Sequence, residues 1–306
     1  MSSPETPSFG HTFGASILLI AVGFFLFGIS VAQAYSYAIN FPEDPRWIKA
    51  IVAVVIVLES AFSVLVLQSV YHETIVSFGS ILEVNVVPWG APVANVIQGV
   101  IVLICQSFLI HRVWIMSDHK VRVVVVLTIL LIARVGKYFF FLEPCQITSS
   151  AVAHYSGTWL DYAGSHASKV SVSLSNSIGA ASDGAIAASL VYFLRKNRSN
   201  INKRTESVLQ RIIMYTINTG VLTMLVCVAL VLTFFLSKGT LAFTGVLTVL
   251  GRLYANSVFG TLNMRRIWRR KINTDITSNS NHLVPPSNEI EFTSPSNFNA
   301  TSERGA

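Results

Sequence analysis

Seven segments of this chain are apolar over a length close to that of a membrane-spanning helix. A helix needs about 20 mostly apolar residues to cross the hydrocarbon core of a bilayer. Only helices and closed barrels satisfy every backbone polar group there, and barrel strands are shorter segments with alternating polarity. The segments are residues 13–35, 48–70, 92–114, 121–142, 169–194, 212–236 and 241–262. The sequence therefore predicts an all-α, polytopic membrane protein, a seven-transmembrane helix bundle over residues 13–263.

The composition excludes an ordinary soluble domain. Of 306 residues, 52% are hydrophobic and 12% are charged, whereas soluble domains carry about 25% charged residues. Residues 1–12 contain no lysine or arginine, whereas a cleaved signal peptide has a basic region ahead of its apolar core. We therefore expect a short extracellular tail over residues 1–12, followed by a retained first span.

Lysine and arginine concentrate after the first, third, fifth and seventh segments. The connections over residues 71–91 and 143–168 contain neither residue. Cytoplasmic loops accumulate basic residues, so the N-terminus is predicted outside and the C-terminus in the cytoplasm. Without the weakly apolar fifth segment, the basic residues 195–211 would lie on the wrong side. The same rule accounts for the formal charge of +7, and no nucleic-acid partner is predicted.

The chain becomes polar after Arg270, with no apolar periodicity. Residues 272–306 are predicted to form a disordered cytoplasmic tail. An unknown cytoplasmic partner would meet this tail and residues 195–211. The lipid bilayer is the partner that the composition itself implies, and the plasma membrane is the expected location.

Several ionisable and amide side chains fall inside the apolar segments. Such groups are costly in lipid, face the bundle interior, and are candidates for function. The predicted intramembrane polar network consists of Glu59, Asn95, Gln98, Arg134, Asn176, Asp183, Asn218, Arg252 and Asn256. One hypothesis pairs Asp183 with Arg252 or Arg134 in a functional centre. The alternative is that these groups join helices structurally, at about 1 kcal/mol per hydrogen bond.

Motifs of catalysis do not occur in the sequence. The seventh segment has no lysine that could hold a Schiff base, and the histidines lie in tails, in connections or at segment ends. Phosphate-binding glycine loops and nucleophile motifs are also missing. We therefore predict no enzyme activity, no catalytic residue, no metal site and no cofactor.

Several runs in the second half of the chain match a known pattern. They are Ala181–Ala187, Tyr215–Thr223, Leu253–Ser257 and Thr261–Arg265, and Phe41–Asp44 fits the same pattern in the first half. The chain resembles the multi-pass membrane proteins of mushroom-forming fungi that carry the domain of unknown function 6534. The resemblance implies a seven-helix membrane protein with that domain over residues of about 170–267. It implies no function.

Three functional hypotheses stay open. The first is a receptor-like or sensor protein of unknown ligand, based on seven helices, an outer N-terminus, short outer connections and a basic third inner loop. The second is a transporter or channel for a small solute or ion, in which Asp183 and Arg252 would line the path. The third is a membrane scaffold. Topology alone does not decide among them.

Overall fold

The computed structural model of the chain describes residues 9–77, 88–139, 166–197, 203–236 and 242–283. These ranges are almost entirely helical and contain no strand. The seven long helices are α1 (Phe9–Asn40), α2 (Arg46–Tyr71), α3 (Gly90–Met116), α4 (Val121–Phe139), α5 (His166–Asn197), α6 (Lys203–Leu236) and α7 (Ala242–Leu283). A five-residue π-helical turn, His72–Val76, prolongs α2. The chain divides into two compact units, Met1–Ile267 and Trp268–Ala306.

Each predicted apolar segment falls within one of these helices. Residues 140–142 and 241 are the exceptions, because they lie outside the described residues. Four helical stretches within the described ranges are long and apolar enough to cross a membrane. They are Gly14–Asn40, Arg46–Val76, Val93–Met116 and Met214–Phe235. The prediction of an all-helical membrane protein is therefore confirmed at this level.

Large apolar side chains cover the outer faces of several helices. Phe25 on α1 is 71% exposed and Val64 on α2 is 67% exposed. Leu225 on α6 is likewise exposed. Soluble monomers rarely expose contiguous apolar surface of this extent, and lipid is the solvent that such faces require.

The last helix is longer than the predicted seventh span. It continues to Leu283, so residues 272–283 of the predicted disordered tail are helical. The helix ends shortly before Pro285 and Pro286, and the residue that precedes a proline disfavours helical geometry. Residues 1–8 and 284–306 lie outside the described residues.

Side-chain contacts fix the direction of three helices relative to α7. Helix α1 runs parallel to α7, because residue numbers rise together in the contacts Ser16–Thr244, Leu26–Asn256 and Gln33–Asn263. Helix α3 is also parallel to α7. Gln98 bonds to the Leu247 carbonyl, and further along both helices Gln106 and Tyr254 bond to the same carboxylate, that of Asp183. Helix α6 is antiparallel, as the pairs Thr216–Thr261 and Thr219–Ser257 show.

The other three helices complete an alternating arrangement. Antiparallel packing joins α2 to α3, α4 to α5, and α5 to α6. For α2 and α3 the contacts are Trp47–Phe108 and Gln68–Gly90. For α4 and α5 they are Lys120–Phe193 and Arg134–Gly179. For α5 and α6 they are Asp183–Thr223 and Ala187–Gly220. Consecutive helices therefore run in opposite directions throughout the bundle, and the C-terminal ends of α1, α3 and α5 lie at one end.

Candidate functional site

Helix α7 is the centre of the bundle. Nearly all its side chains between Ala242 and Leu262 are buried or half-buried. Glycines let neighbouring helices approach it closely, since a Cβ atom at Gly251 would lie 2.9 Å from the Gln98 amide and one at Gly260 would overlap the Tyr215 hydroxyl. Two buried polar clusters form where α7 meets the helices around it.

The first, which we call the Arg252 cluster, consists of Arg252, Glu59, Ser63, Phe27 and Phe62. Arg252 and Glu59 are both fully buried and form an ion pair between α7 and α2. The guanidinium also donates to the Glu59 backbone carbonyl at 3.0 Å and to the Ser63 hydroxyl at 2.7 Å. Its Cζ atom lies 4.9 Å from the centre of the Phe27 ring and 4.8 Å from that of Phe62.

Aromatic rings and hydroxyl groups therefore replace water around the Arg252 charge. Two atoms of the pair, Glu59 Oε1 and Arg252 Nε, have no hydrogen-bond partner among the described residues. A buried ion pair compensates for its desolvation only when such remaining polar atoms are also satisfied. The Arg252 cluster thus joins α7 to α2 through an ion pair and hydrogen bonds, while two polar atoms of the pair make no hydrogen bond to the described residues.

The second, the Tyr254 cluster, consists of Tyr254, Asp183, Arg134 and Gln106 from four different helices. The Tyr254 hydroxyl donates to Asp183 Oδ2 at 2.6 Å and accepts from Arg134 Nη1 at 2.9 Å. Gln106 donates to Asp183 Oδ1 at 2.8 Å. The closest atoms of the guanidinium and the carboxylate are 3.9 Å apart. Each of the two charged groups therefore lies closer to the tyrosine hydroxyl than to the other.

A glycine on α5 makes room for the Arg134 guanidinium. A Cβ atom at Gly179 would lie 3.0 Å from Arg134 Cζ and 3.1 Å from its Nη2. Gly179 precedes Asp183 by four residues, so both lie on one face of the helix. The small residue therefore lets the guanidinium lie flat against α5, within reach of the carboxylate one turn away.

A small cavity adjoins the Asp183 carboxylate, between α5, α6 and α7. Its polar wall is formed by Asp183, Tyr254, Thr216, Thr223 and Ser257. The space is large enough for about one water molecule, but most of its surface is apolar, and Asp183 and the hydroxyl groups contribute the smaller part. Among the described side chains, no group of three or more His, Cys, Asp or Glu lies in a position to hold a metal ion.

Two asparagines attach α7 to α1. Asn256 donates to the Leu26 carbonyl at 3.0 Å, and Asn263 donates to the Gln33 carbonyl at 2.7 Å. The donors and the acceptors are each seven residues apart, which is two helical turns. Together with the two clusters and with the bonds of Thr216 and Thr219 on α6, these bonds connect α7 through polar groups to all six other helices.

The predicted network divides into parts in the structure. Arg134 lies beside Asp183 and Arg252 pairs with Glu59, which decides the choice of partner that the sequence left open. Gln98 and Asn256 bond α7 to α3 and α1, away from both carboxylates. Three further residues belong to neither cluster: Asn95 is half-buried on α3, Asn176 donates to the Val172 carbonyl of its own helix, and Asn218 is exposed on α6.

Sequence reasoning did not include two members of the Tyr254 cluster in the network. Tyr254 follows Arg252 by two residues, and a tyrosine in an apolar helix is as common at a lipid headgroup as in a core. Gln106 lies eight residues after Gln98, close to the same face of α3. That spacing is the signal that would have added Gln106.

A comparison with family models finds one match. Residues 179–267 match the model of a family of unknown function, DUF6534. The matched range contains Asp183, Arg252 and Tyr254, whereas Glu59, Gln106 and Arg134 lie outside it. No curated protein and no solved structure matches the chain. The match therefore supports the domain that the sequence resemblance implied, over residues 179–267.

Proposed function

We propose that this chain is a seven-span receptor or sensor of the plasma membrane, with an outer N-terminus and a cytoplasmic C-terminus. The resemblance to the fungal membrane proteins also leads us to infer a fungal origin. The ligand is unknown. The proposal rests on the way α7 is held between two separate buried ionic groups.

The alternating helix directions support seven spans. First and last helices that run parallel require an odd number of crossings, and α1 is parallel to α7. The end of the bundle that holds the C-terminal ends of α1, α3 and α5 is also the basic end, as the positive-inside rule requires of the cytoplasmic side. Arg46, Lys120 and Lys196 all lie at this end.

Two residues on α7 extend toward opposite sides of the bundle. Arg252 and Tyr254 are two positions apart, so their side chains diverge by about 200° around the helix axis. Arg252 pairs with Glu59 on α2, and Tyr254 bonds to the charges on α4 and α5. A shift or rotation of α7 must therefore break bonds in at least one cluster, which gives the helix discrete positions rather than a continuous range.

A movement at the clusters would reach the cytoplasmic end along a rigid helix. Tyr254 precedes Arg265 by eleven residues, or about 16 Å of helix. Arg265 Nη2 bonds to Asp44 Oδ2 at 2.5 Å, in the connection between α1 and α2. A ligand that favours one position of α7 would thus change the contacts at the inner end. The size of the shift is limited by the difference in the ligand's affinity for the two positions of α7.

The test compares two tyrosine variants that lose the same hydroxyl group. Tyr254→Phe removes the bridge, while Tyr192→Phe alters an exposed tyrosine on α5. Spin labels at Arg46→Cys and Met264→Cys, in a chain carrying Cys145→Ser, report the distance between the inner ends of α2 and α7. The native Cys105 and Cys227 are buried and should stay unlabelled.

We expect Tyr254→Phe to populate a second inner-end distance, and Tyr192→Phe to retain the wild-type distribution. If Tyr254→Phe lowers stability without changing the distance distribution, the cluster is structural and the sensor proposal loses its basis. Glycosylation acceptors inserted at 71–91 and 143–168 test the orientation separately. Modification there, with residues 195–211 and Asn299 unmodified, supports the proposed topology.

The cavity beside Asp183 favours a second candidate, a proton or small-cation transporter. Asp183 is among the residues that line this mainly apolar space, and intramembrane carboxylates often mark ion pathways. Proteoliposomes with an internal pH dye decide between the candidates. Proton flux in the wild type that Asp183→Asn abolishes would favour transport, and flux at the level of empty liposomes would exclude a proton transporter.

A further inference from the structure

Two lysine side chains meet at the basic end of the bundle. Lys120 closes the connection between α3 and α4, and Lys196 lies in the last turn of α5. Both side chains are exposed, and the Lys120 ammonium lies over the ring of Phe193, three residues before Lys196 on α5, so the two lysines are close neighbours. Two ammonium groups are both donors, so neither can accept a bond from the other, and their charges repel.

The fold holds Lys120 in this position. Its ammonium lies 5.7 Å from the centre of the buried Phe193 ring, one helical turn before Lys196. Its backbone N–H donates to the Ser117 hydroxyl at 3.3 Å, and the buried Ser117 donates to the Trp114 carbonyl at 3.1 Å. The backbone bond fixes the position of the Lys120 backbone, and the ring contact favours a side chain directed toward the end of α5.

The intervening backbone is also constrained. Asp118 and His119 have φ values of 54° and 62°, which are uncommon for residues other than glycine. The His119 ring packs edge-on against Trp114, with centroids 5.0 Å apart. A tight, strained connection of this kind fixes where the next residue lies, and here that residue is Lys120.

Nearby acidic groups compensate little of this charge. Lys196 lowers the pKa of Lys120, first by its direct hydrogen-bonding proximity and then by its charge, and Asp118 opposes this with the smallest effect. The first turn of α4 contains no acidic residue and carries a further positive charge, Arg122. The two lysines therefore form a small, exposed site with a net positive charge.

We propose that Lys120 and Lys196 together bind a phosphate group, that of a phosphoinositide headgroup at the membrane surface. A phosphate monoester accepts hydrogen bonds from both ammonium groups and replaces their repulsion by two charge-assisted bonds. The site lies at the helix ends of the basic face, where the headgroups of anionic inner-leaflet lipids are found. It is independent of the sensor proposal, and only its assignment to the inner leaflet rests on the proposed orientation.

The experiment uses the full chain in micelles of an uncharged maltoside detergent. Dioctanoyl phosphatidylinositol 4-phosphate is titrated in, and binding is followed by thermophoresis. The test variant is K120Q/K196Q. The matched control is R122Q/R195Q, which removes two exposed positive charges from the same two helix ends. Inorganic phosphate and dioctanoyl phosphatidylcholine are titrated in parallel.

We expect the phosphoinositide affinity to fall about tenfold for each lysine removed, the loss typical of one hydrogen bond to a charged group. R122Q/R195Q should lose about threefold or less, since exposed charges at a distance contribute little. K120R/K196R keeps both charges and should retain most of the binding. This retention separates loss of the site from loss of the fold.

Equal weakening by the two glutamine pairs would overturn the site in favour of diffuse attraction to the basic face. Absence of binding to the wild type, or equal binding of phosphatidylcholine, would overturn it as well. If inorganic phosphate binds as tightly as the lipid and with the same lysine dependence, the anion site stands and its occupant is soluble phosphate. Stronger binding of the lipid supports the headgroup.

Discussion

The Glu59–Arg252 pair makes a quantitative prediction about the bundle core. Three variants form a cycle: Arg252→Met, Glu59→Leu and the double substitution. Each single variant leaves one fully buried charged residue without its partner. We expect each to lower the free energy of unfolding by about 3–5 kcal/mol, the usual cost of breaking a buried pair.

The double variant should be far less damaging than its two parts. It removes both charges, and methionine and leucine fill similar space between Phe27 and Phe62. What is lost besides the pair is one bond to a backbone carbonyl and one to Ser63, or about 2 kcal/mol. The two single losses together exceed the loss of the double variant by about 4–8 kcal/mol, which is the expected coupling energy between the two positions.

Unfolding in mixed micelles of rising dodecyl sulfate content, followed by tryptophan fluorescence, measures all four proteins. The Asp44–Arg265 pair is the internal control, because it retains 14% and 24% side-chain exposure. Its cycle, with Asp44→Asn and Arg265→Gln, should give a smaller coupling than the Glu59–Arg252 cycle, because both partners keep contact with solvent. If the Glu59 and Arg252 substitutions prove additive, the two residues are not a buried, mutually dependent pair, and the account of α7 fails with them.

Two further predictions concern packing and pH. Gly179→Ala places a methyl group 3.0 Å from Arg134 and should cost about 1–3 kcal/mol of unfolding free energy; Gly184→Ala, with open space around it, should be neutral or stabilising in the same assay. Lys196 lowers the pKa of Lys120 in the folded chain. The repulsion between the two ammonium groups is therefore fully present below this lowered pKa. It is relieved as the pH rises from the lowered pKa toward the ordinary pKa of lysine. Stability should thus rise with pH in this alkaline window without lipid, and K120Q should flatten the rise.

The helices could be predicted from the sequence, but their lengths only in part. Apolar length and the distribution of basic residues locate all seven, including α5, whose residues are only weakly apolar. Polar turns extend several helices beyond the apolar segments, as in α7. Hydropathy reports the residues that lipid requires, whereas a helix ends where its backbone loses hydrogen bonds or meets a proline.

The charged residues of the site could be predicted, but not their pairing. Glu59, Asp183, Arg134 and Arg252 are conspicuous because charge inside a membrane is costly. Which cation meets which carboxylate depends on the rotation and depth of each helix, and a sequence without contacts fixes neither.

Asn218 shows a misjudged helix face. On α6, Thr216, Thr219 and Thr223 are buried or half-buried, spaced three and four residues apart, and they contact the bundle. Asn218 does not share this spacing and is exposed. The spacing of the hydroxyl-bearing residues, rather than the polarity of the asparagine, was the informative signal.

The two clusters on α7 differ in what happens when the helix moves. If Tyr254 withdraws, Arg134 and Asp183 remain 3.9 Å apart and can close into a direct ion pair, so neither charge is abandoned. If Arg252 withdraws, Glu59 keeps no other cation among the described residues. Separation at Arg252 is therefore the more costly, and the sensor proposal implies that α7 pivots about Arg252 while Tyr254 exchanges its partners. It follows that Tyr254→Phe should shift the inner-end distance in a folded protein, whereas Arg252→Met should chiefly lower stability.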